Sequence, residues 1–181
     1  MQTANAAMIG KPFKATRKKL YTVSWRFGEL CEHIYNRLED VWYTVDKNKC
    51  IVMRGTAGEE WVVDCEKLLR TYDIGYDADH LGHLCVKHVL GGNVGKSWRK
   101  ARVKPDAGVY YAVKVPEKHQ ILIATSWGDT LKVNRPGIGH DGGDYVICAA
   151  LPNGSINYED MWVVNGEIFK GTYDMRPFSR K

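Results

Sequence analysis

The chain has 181 residues, of which 44% are hydrophobic and 26% are charged, and its formal net charge is +5. These values are ordinary for a globular protein of one domain or two very small ones, long enough to bury a core. No run of 18 apolar residues occurs, which excludes a transmembrane helix, and residues 1–10 lack the basic start and apolar stretch of a secretory signal.

The five cysteines lie at positions 31, 50, 65, 85 and 148, without a Cys-x-x-Cys pair. An odd and scattered set argues against a disulfide framework. We therefore expect all five to be reduced and mostly buried, which indicates a cytoplasmic protein.

The first predicted elements are a strand at 20–25 and an amphipathic helix at about 27–39. Five apolar residues recur there at helical spacing, namely Phe27, Leu30, Cys31, Ile34 and Leu38. Charged residues fall off this stripe, so we expect the helix to pack one face against the core.

An internal repeat relates residues 61–73 to residues 162–174, with an offset of 101 and seven identities in thirteen positions. Both copies contain Trp-Val-Val, a glutamate and Thr-Tyr-Asp at the same spacing. Each copy follows a β-branched run and a glycine-containing turn, which predicts a hairpin. Asp64 can cap a short helical turn at 65–69, and the Thr-Tyr pair favours a closing strand.

Three further strands are expected in the second half, at 109–115, 120–125 and 131–133. The predicted fold class is α+β and β-dominant, with two tandem SH3-like or small β-barrel units and the single helix in the first. Residues 1–75 are expected to form the first unit and residues 105–181 the second. Residues 76–104 are expected to be a basic, glycine-containing connector.

Residues 125–174 resemble the C-terminal part of small phage and prophage proteins called the PGDYG family. Four segments carry the resemblance: Ile123-Ala124-Thr125, Gly128-Asp129-Thr130, Gly143-Asp144-Tyr145-Val146-Ile147, and Glu167-Ile168-Phe169 with Thr172-Tyr173-Asp174. The chain departs from the family at Gly142, where the family has proline, in an insertion at 136–141, and in a longer second hairpin at 149–159. The resemblance implies a phage-borne, cytoplasmic accessory protein of small β-barrel type, with no defined activity.

Basic residues concentrate in two stretches that contain no acidic residue, at 11–26 and 96–104. The candidate partner-binding residues are Arg17, Lys18, Lys19, Lys96, Trp98, Arg99, Lys100, Arg102 and Lys104. Cations and an aromatic ring suit a nucleic acid. They suit an acidic protein surface equally well, and Trp98 can also serve packing alone.

Residue types that bind zinc cluster at His80, His83, Cys85 and His88. On a helix these side chains point in different directions, and no second ligand pair follows at finger-like spacing. We therefore expect neither a metal nor another cofactor.

The loop at 91–97 is similar to a phosphate-binding loop but has Leu90 where the Walker pattern needs its first glycine. No nucleophile lies in an activating context, so we expect no enzyme activity. An enzyme acting on a nucleotide remains an alternative, based on this loop and the nearby histidines.

The resemblance and the basic stretches together favour a phage or mobile-element accessory protein that acts by stoichiometric binding. The expected role is inhibition of a bacterial defence system, for example a CRISPR-Cas nuclease (an anti-CRISPR), in the cytoplasm of the bacterial host. The protein is expected to be a monomer or homodimer without membrane association. Masking of DNA or RNA by direct binding is the alternative.

Overall fold

A computed structural model describes residues 2–4, 12–18, 22–104, 108–126, 128, 130–134 and 143–176. The elements in chain order are β1 (Gln2–Ala4), β2 (Phe13–Arg17), β3 (Thr22–Phe27), β4 (His33–Asn36), β5 (Val41–Thr44), β6 (Ile51–Arg54), β7 (Glu60–Val63), α1 (Cys65–Thr71), β8 (Tyr72–Asp73), α2 (Ala78–Val89), β9 (Arg99–Val103), β10 (Val109–Lys114), β11 (Ile121–Ala124), β12 (Thr130–Val133), β13 (Tyr145–Ala150), β14 (Ile156–Val164), α3 (Gly166–Thr172) and β15 (Tyr173–Arg176). The predicted β-dominance is confirmed.

The chain divides into two compact units. The central unit comprises residues 19–107, and the terminal unit comprises residues 1–18 together with 108–181. This division differs from the expected boundaries, because residues 1–18 join the C-terminal half and residues 76–104 belong to the central unit.

Each unit contains a five-stranded antiparallel sheet. The strand order is β7-β6-β3-β9-β8 in the central unit and β14-β13-β10-β2-β15 in the terminal unit. The central unit adds the two-stranded hairpin β4-β5, and the terminal unit adds a three-stranded sheet in the order β1-β11-β12. The sheets formed by the described residues are open and do not close into a barrel.

The predicted repeat is visible in both units as a hairpin, a short helix and a closing strand. Helix α1 begins after Asp64, whose side chain accepts a hydrogen bond from the Lys67 amide at 2.6 Å. Helix α3 begins after Asn165, whose side chain accepts one from the Glu167 amide at 2.9 Å. The Asp64 cap predicted from the sequence is therefore confirmed, and Asn165 has the same role in the second copy.

The repeat also includes a first strand, which the two copies exchange. Strand β2 directly precedes β3 in the chain but lies between β10 and β15 in the terminal unit. Strand β9 directly precedes β10 but lies between β3 and β8 in the central unit. Ala15 pairs with Tyr110, and Ala101 pairs with Val23 at the equivalent position. Each sheet is thus completed by the first strand of the other repeat.

The helix predicted at about 27–39 is wrong, because residues 33–36 and 41–44 form the β4-β5 hairpin. The positive φ angle of Cys31 (64°) is incompatible with a continuous helix over this segment. The apolar stripe does not form one buried face either, since Phe27 is fully buried but Leu30 is 52% exposed.

The segment 76–104, which the sequence indicates as a connector, forms part of the central unit. Helix α2 packs on the central core through Leu81 and Cys85, and β9 contributes Ala101 and Val103 to the same core. Burial of these four side chains explains why the segment folds with the residues before it. No helix among the described residues is long and apolar enough to cross a membrane.

The expectation that all five cysteines are reduced does not hold in the structure, which joins Cys65 to Cys85 by a disulfide. The two residues are 20 positions apart in the sequence. Cys65 is the first residue of α1, and Cys85 lies within α2. Their proximity depends on the packing of the two helices, which spacing along the sequence does not reveal.

Candidate binding surfaces

Strand β9 separates its basic residues between its two faces. Lys100 and Arg102 are exposed, whereas Ala101 and Val103 are buried. Neither Lys100 nor Arg102 forms an ion pair with any residue that the structure describes. Within the described part of the chain, the exposed cations of β9 are therefore Lys100 and Arg102.

Arg99 belongs to the inner face of the same strand and is half-buried. Its guanidinium carbon lies 5.1 Å from the Trp25 ring centroid and 5.7 Å from that of Phe27. Both rings are fully buried. Arg99 therefore packs over the aromatic core and contributes a cation–π interaction to the fold.

Trp98 is half-buried and is covered by two arginines. The guanidinium carbon of Arg54 lies 3.9 Å from its ring centroid, and that of Arg26 lies 5.2 Å away. Arg54 forms an ion pair with Glu60 at 2.7 Å, and Arg26 forms a bidentate pair with Glu32 at 2.6 and 3.0 Å. The Arg26 hydrogen bond lowers the pKa of Glu32 below its usual value. Trp98 thus lies at the centre of a half-buried cluster and packs against two arginine side chains.

The other basic candidates are dispersed. Lys96 is exposed and paired with Glu29. The side-chain ammonium of Lys18 donates a hydrogen bond to the carbonyl of Lys170 in the last turn of α3. Lys104 is half-buried, and its amide donates to Thr71 at 3.0 Å.

Two candidates fall partly or wholly outside the described residues. The backbone of Arg17 pairs with Tyr173 in the terminal sheet, but its side chain is outside the described part of the chain. Lys19 lies entirely outside the described residues.

The β4-β5 hairpin carries an exposed aromatic pair. Tyr35 and Trp42 face each other across the hairpin with their ring centroids 5.0 Å apart. Trp42 is 66% exposed and Tyr35 is 42% exposed. The Tyr35 hydroxyl donates to the Asp40 carboxylate at 2.7 Å, which fixes the ring. An exposed, ordered tryptophan–tyrosine pair is typical of protein-binding surfaces.

The hairpin is anchored on its opposite face. Ile34 and Asn36 are 5% and 3% exposed. The Asn36 side-chain oxygen accepts from the Leu38 amide at 3.0 Å, and the Tyr43 hydroxyl donates to Glu39 at 2.5 Å. The aromatic pair is therefore held before any partner arrives, which reduces the entropy lost on binding.

Sequence reasoning missed this pair because it assigned residues 27–39 to a helix. The signal was present as alternation along His33–Asn36, in which every second residue is buried. The apolar spacing of Phe27, Leu30 and Ile34 matched a helix over the same window and obscured it.

A cleft of about 290 Å³ lies beside the loop that resembles a phosphate loop, lined by Glu29, His88 and residues 91–96. Desolvation lowers the pKa of His88, and its Nε2 has no hydrogen-bond partner among the described residues. Here a helix precedes the loop and a strand follows it, which reverses the strand–loop–helix order of a phosphate loop. The ammonium of Lys96 is already paired with Glu29. This geometry does not favour nucleotide phosphates.

The four residues considered for zinc all lie on α2 but do not converge. His80 stacks on Tyr76 at 5.2 Å, His83 is exposed, and His88 packs against Phe27 at 5.8 Å. Cys85 instead points toward two other cysteines. In the described part of the chain, the potential metal ligands that come together are Cys50, Cys65 and Cys85, with sulfur atoms within 4.8 Å of one another.

Comparison of the chain with protein-family models, curated proteins and solved structures gives no match. The residues of the chain itself therefore carry the functional argument.

Proposed function

We propose that this protein acts by stoichiometric binding to a partner protein, with the Tyr35–Trp42 pair as the anchor of its contact surface. The observation that carries the proposal is the 66% exposure of Trp42 on a hairpin whose other face is buried. Tryptophan and tyrosine supply a large share of the binding energy at protein interfaces. A large, ordered and exposed aromatic pair has no role in the core of the unit that carries it.

The partner class we propose is a bacterial defence protein, such as a CRISPR-Cas effector, in the cytoplasm of the host. The PGDYG-like segments of the terminal unit support this setting. The shared strand order of the two units, and the short helix before each last strand, support the finer proposal of two SH3-like units.

A second candidate function is direct binding of DNA or RNA. Lys100 and Arg102 favour it, because both are exposed on one strand and form no ion pair with a described residue. Cations of this kind contact phosphates and give sequence-independent affinity. Trp98 is a weaker candidate for base stacking, since Arg26 and Arg54 already lie over its ring.

The test is capture from host lysate by the tagged protein, with and without nuclease treatment, followed by affinity measurement with the purified partner. The wild type is compared with Trp42→Ala, with the double variant Lys100→Ala/Arg102→Ala, and with Tyr158→Ala as a matched control. Tyr158 is 40% exposed and lies in the terminal unit.

We expect one discrete protein to survive nuclease treatment. Trp42→Ala should weaken its binding by about 30-fold or more, equivalent to about 2 kcal/mol, and Tyr158→Ala should leave it unchanged. Equal binding by Trp42→Ala and the wild type would overturn the proposal. Recovery of nucleic acid alone, lost in the double variant, would replace it with the second candidate.

A further inference from the structure

Three cysteines from three different parts of the chain converge inside the central unit. Cys50 directly precedes β6 and is 1% exposed, Cys65 is the first residue of α1, and Cys85 lies on α2 and is 8% exposed. Their sulfur atoms all lie within 4.8 Å of one another. The other two cysteines, Cys31 and Cys148, are free and lie outside this cluster.

The spacing of the sulfurs suits a shared metal ion. Two thiolates bound at 2.3 Å to one tetrahedral zinc ion lie about 3.8 Å apart. The Sγ atoms of Cys50 and Cys65 are 3.9 Å apart. This pair therefore already has the separation that coordination to a common ion requires.

The backbone positions of Cys65 and Cys85 are compatible with the same arrangement. Their Cα atoms are 7.3 Å apart, whereas disulfide partners usually lie within about 4.4–6.8 Å. When the disulfide is reduced, the two sulfurs can separate toward coordination distance by side-chain rotation, while the helices stay in place.

We propose that the reduced protein binds one zinc ion through the thiolates of Cys50, Cys65 and Cys85. Thiolate sulfur selects zinc over magnesium and calcium, which prefer oxygen ligands. Among the described residues, no histidine or carboxylate joins the three sulfurs. The fourth position is therefore open to a water molecule or to a ligand from outside this cluster.

The two states differ by two electrons. A dithiol reductant supplies two electrons and two protons, which cleave the Cys65–Cys85 bond into two thiols while the reductant becomes a disulfide. Zinc then displaces three protons from the three thiols as three zinc–sulfur bonds form. A disulfide oxidant reverses the sequence: it takes two electrons from the Cys65 and Cys85 thiolates, which form their S–S bond, and it becomes a dithiol with two protons from solvent. The ion is released, and the Cys50 thiolate takes up a third proton.

Such a site would tie the start of β6, α1 and α2 together, since Cys50 directly precedes β6 and the other two ligands lie on the two helices. The bacterial cytoplasm proposed for this protein keeps thiols reduced. The metal-bound form is therefore the one expected there, and the disulfide form is expected under oxidising conditions. The zinc site itself is independent of the proposed binding function, because it involves none of the residues of the hairpin surface; only the state expected in the cell rests on the proposed cytoplasmic setting.

The test uses the full chain, reduced with a phosphine, freed of oxygen and titrated with Co²⁺ as a spectroscopic substitute for zinc. We expect one Co²⁺ per chain and a thiolate-to-cobalt charge-transfer absorption, which zinc abolishes by displacement. Cys50→Ser should weaken binding by about 100-fold or more, since loss of a direct ligand exceeds the effect of losing an outer-shell partner. Cys31→Ser and Cys148→Ser are the matched controls and should bind as the wild type does.

Folding of each variant is checked by far-ultraviolet circular dichroism, because Cys50 is buried. Cys65→Ser repeats the test at a half-buried ligand. The absence of a charge-transfer band in the reduced wild type would overturn the proposal. So would undiminished binding by folded Cys50→Ser and Cys65→Ser.

Discussion

Basic residues that are adjacent in the sequence lie in different environments in the structure. Arg99 and Lys100 are adjacent, yet Arg99 lies over buried aromatic rings and Lys100 is exposed. Strand alternation separates them, and that alternation is not visible while the segment is interpreted as a connector. The sequence shows which segments are rich in basic residues, but only the strand assignment shows which of these side chains are exposed.

The Trp98 cluster gives a prediction about stability. Trp98→Ala should lower the free energy of unfolding by about 2–4 kcal/mol, because it removes a half-buried ring and two cation–π contacts. Lys100→Ala, on the outer face nearby, should change it by less than about 0.5 kcal/mol. Urea denaturation followed by circular dichroism measures both, and similar values for the two variants would contradict the assigned roles.

Glu59 gives a prediction about pH. Its side chain is buried, its carboxylate accepts a hydrogen bond from the Ala57 amide at 3.0 Å, and desolvation raises its pKa. The folded state therefore holds a proton that the unfolded state releases near its ordinary pKa of about 4.3. Stability conferred by this proton is present below that pH and is lost as pH rises through the raised folded pKa.

Glu59→Gln should consequently flatten the decline of unfolding free energy as pH rises above about 4.3, where the unfolded carboxyl begins to ionise. Some decline should persist, because burial also raises the pKa of Glu39. Glu66→Gln, on the exposed side of α1, is the control and should retain the wild-type slope. Urea titrations across this pH range measure the decline of unfolding free energy. An unchanged slope in Glu59→Gln would contradict the role assigned to the Glu59 carboxyl.

At the scale of elements, local sequence patterns were sufficient to predict the secondary structure wherever they agreed with the tertiary packing. The hairpins β6-β7 and β13-β14, the Asp64 cap of α1 and strands β10 to β12 were all predictable from apolar runs and turn residues. The segment 27–39 was not, because its helical spacing competed with strand alternation. In the structure, Cys31 has a positive φ angle and its amide donates to the Val45 carbonyl at 2.8 Å, which interrupts a helix at this point.

A buried polar network fixes the loops of the terminal unit and was also hidden in the sequence. Asn134 has a φ of 53° and is 4% exposed, and its side-chain amide donates to Pro116 and His119 at 2.8 and 2.9 Å. It also exchanges two hydrogen bonds with Asp144, at 2.7 and 2.8 Å. Asp144 belongs to the Gly143-Asp144-Tyr145 segment, so these two bonds give that segment a structural role.

Asn134→Ala should lower the free energy of unfolding by about 3 kcal/mol or more, because it leaves several buried partners without hydrogen bonds. Asn153→Ala is a matched control, since that side chain also accepts from a main-chain amide but lies in an exposed turn. Asn153→Ala should lower the free energy of unfolding by less than about 1 kcal/mol. Equal losses in thermal or urea unfolding would show that burial of the network is not what matters.

At the scale of the whole molecule, the repeat is longer than sequence comparison revealed. The Trp-Val-Val and Thr-Tyr-Asp matches identified its second half. The first strands share Lys14-Ala15 and Lys100-Ala101, a match too short to stand out, and both alanines are buried. No local pattern indicates that β2 and β9 are exchanged, because strand pairing depends on the packing of the whole sheet.

The exchange predicts unequal behaviour of fragments. Residues 19–107 contain every strand of the central sheet, so this fragment should fold alone. Residues 108–181 lack β2, which separates β10 from β15, so the sheet has a gap and β15 loses its partner. That fragment should remain unfolded, because an incomplete sheet leaves backbone groups unpaired and apolar surface exposed.

Addition of a peptide spanning residues 1–18 should restore the fold of fragment 108–181, as measured by a cooperative urea transition and by dispersed amide resonances. The same peptide with Ala15→Glu should fail, because Ala15 is 0% exposed and the added carboxylate would be buried without a partner. Cooperative folding of 108–181 without the peptide would contradict the exchanged arrangement. Rescue by the wild-type peptide alone would demonstrate that the first strand of one repeat completes the sheet of the other.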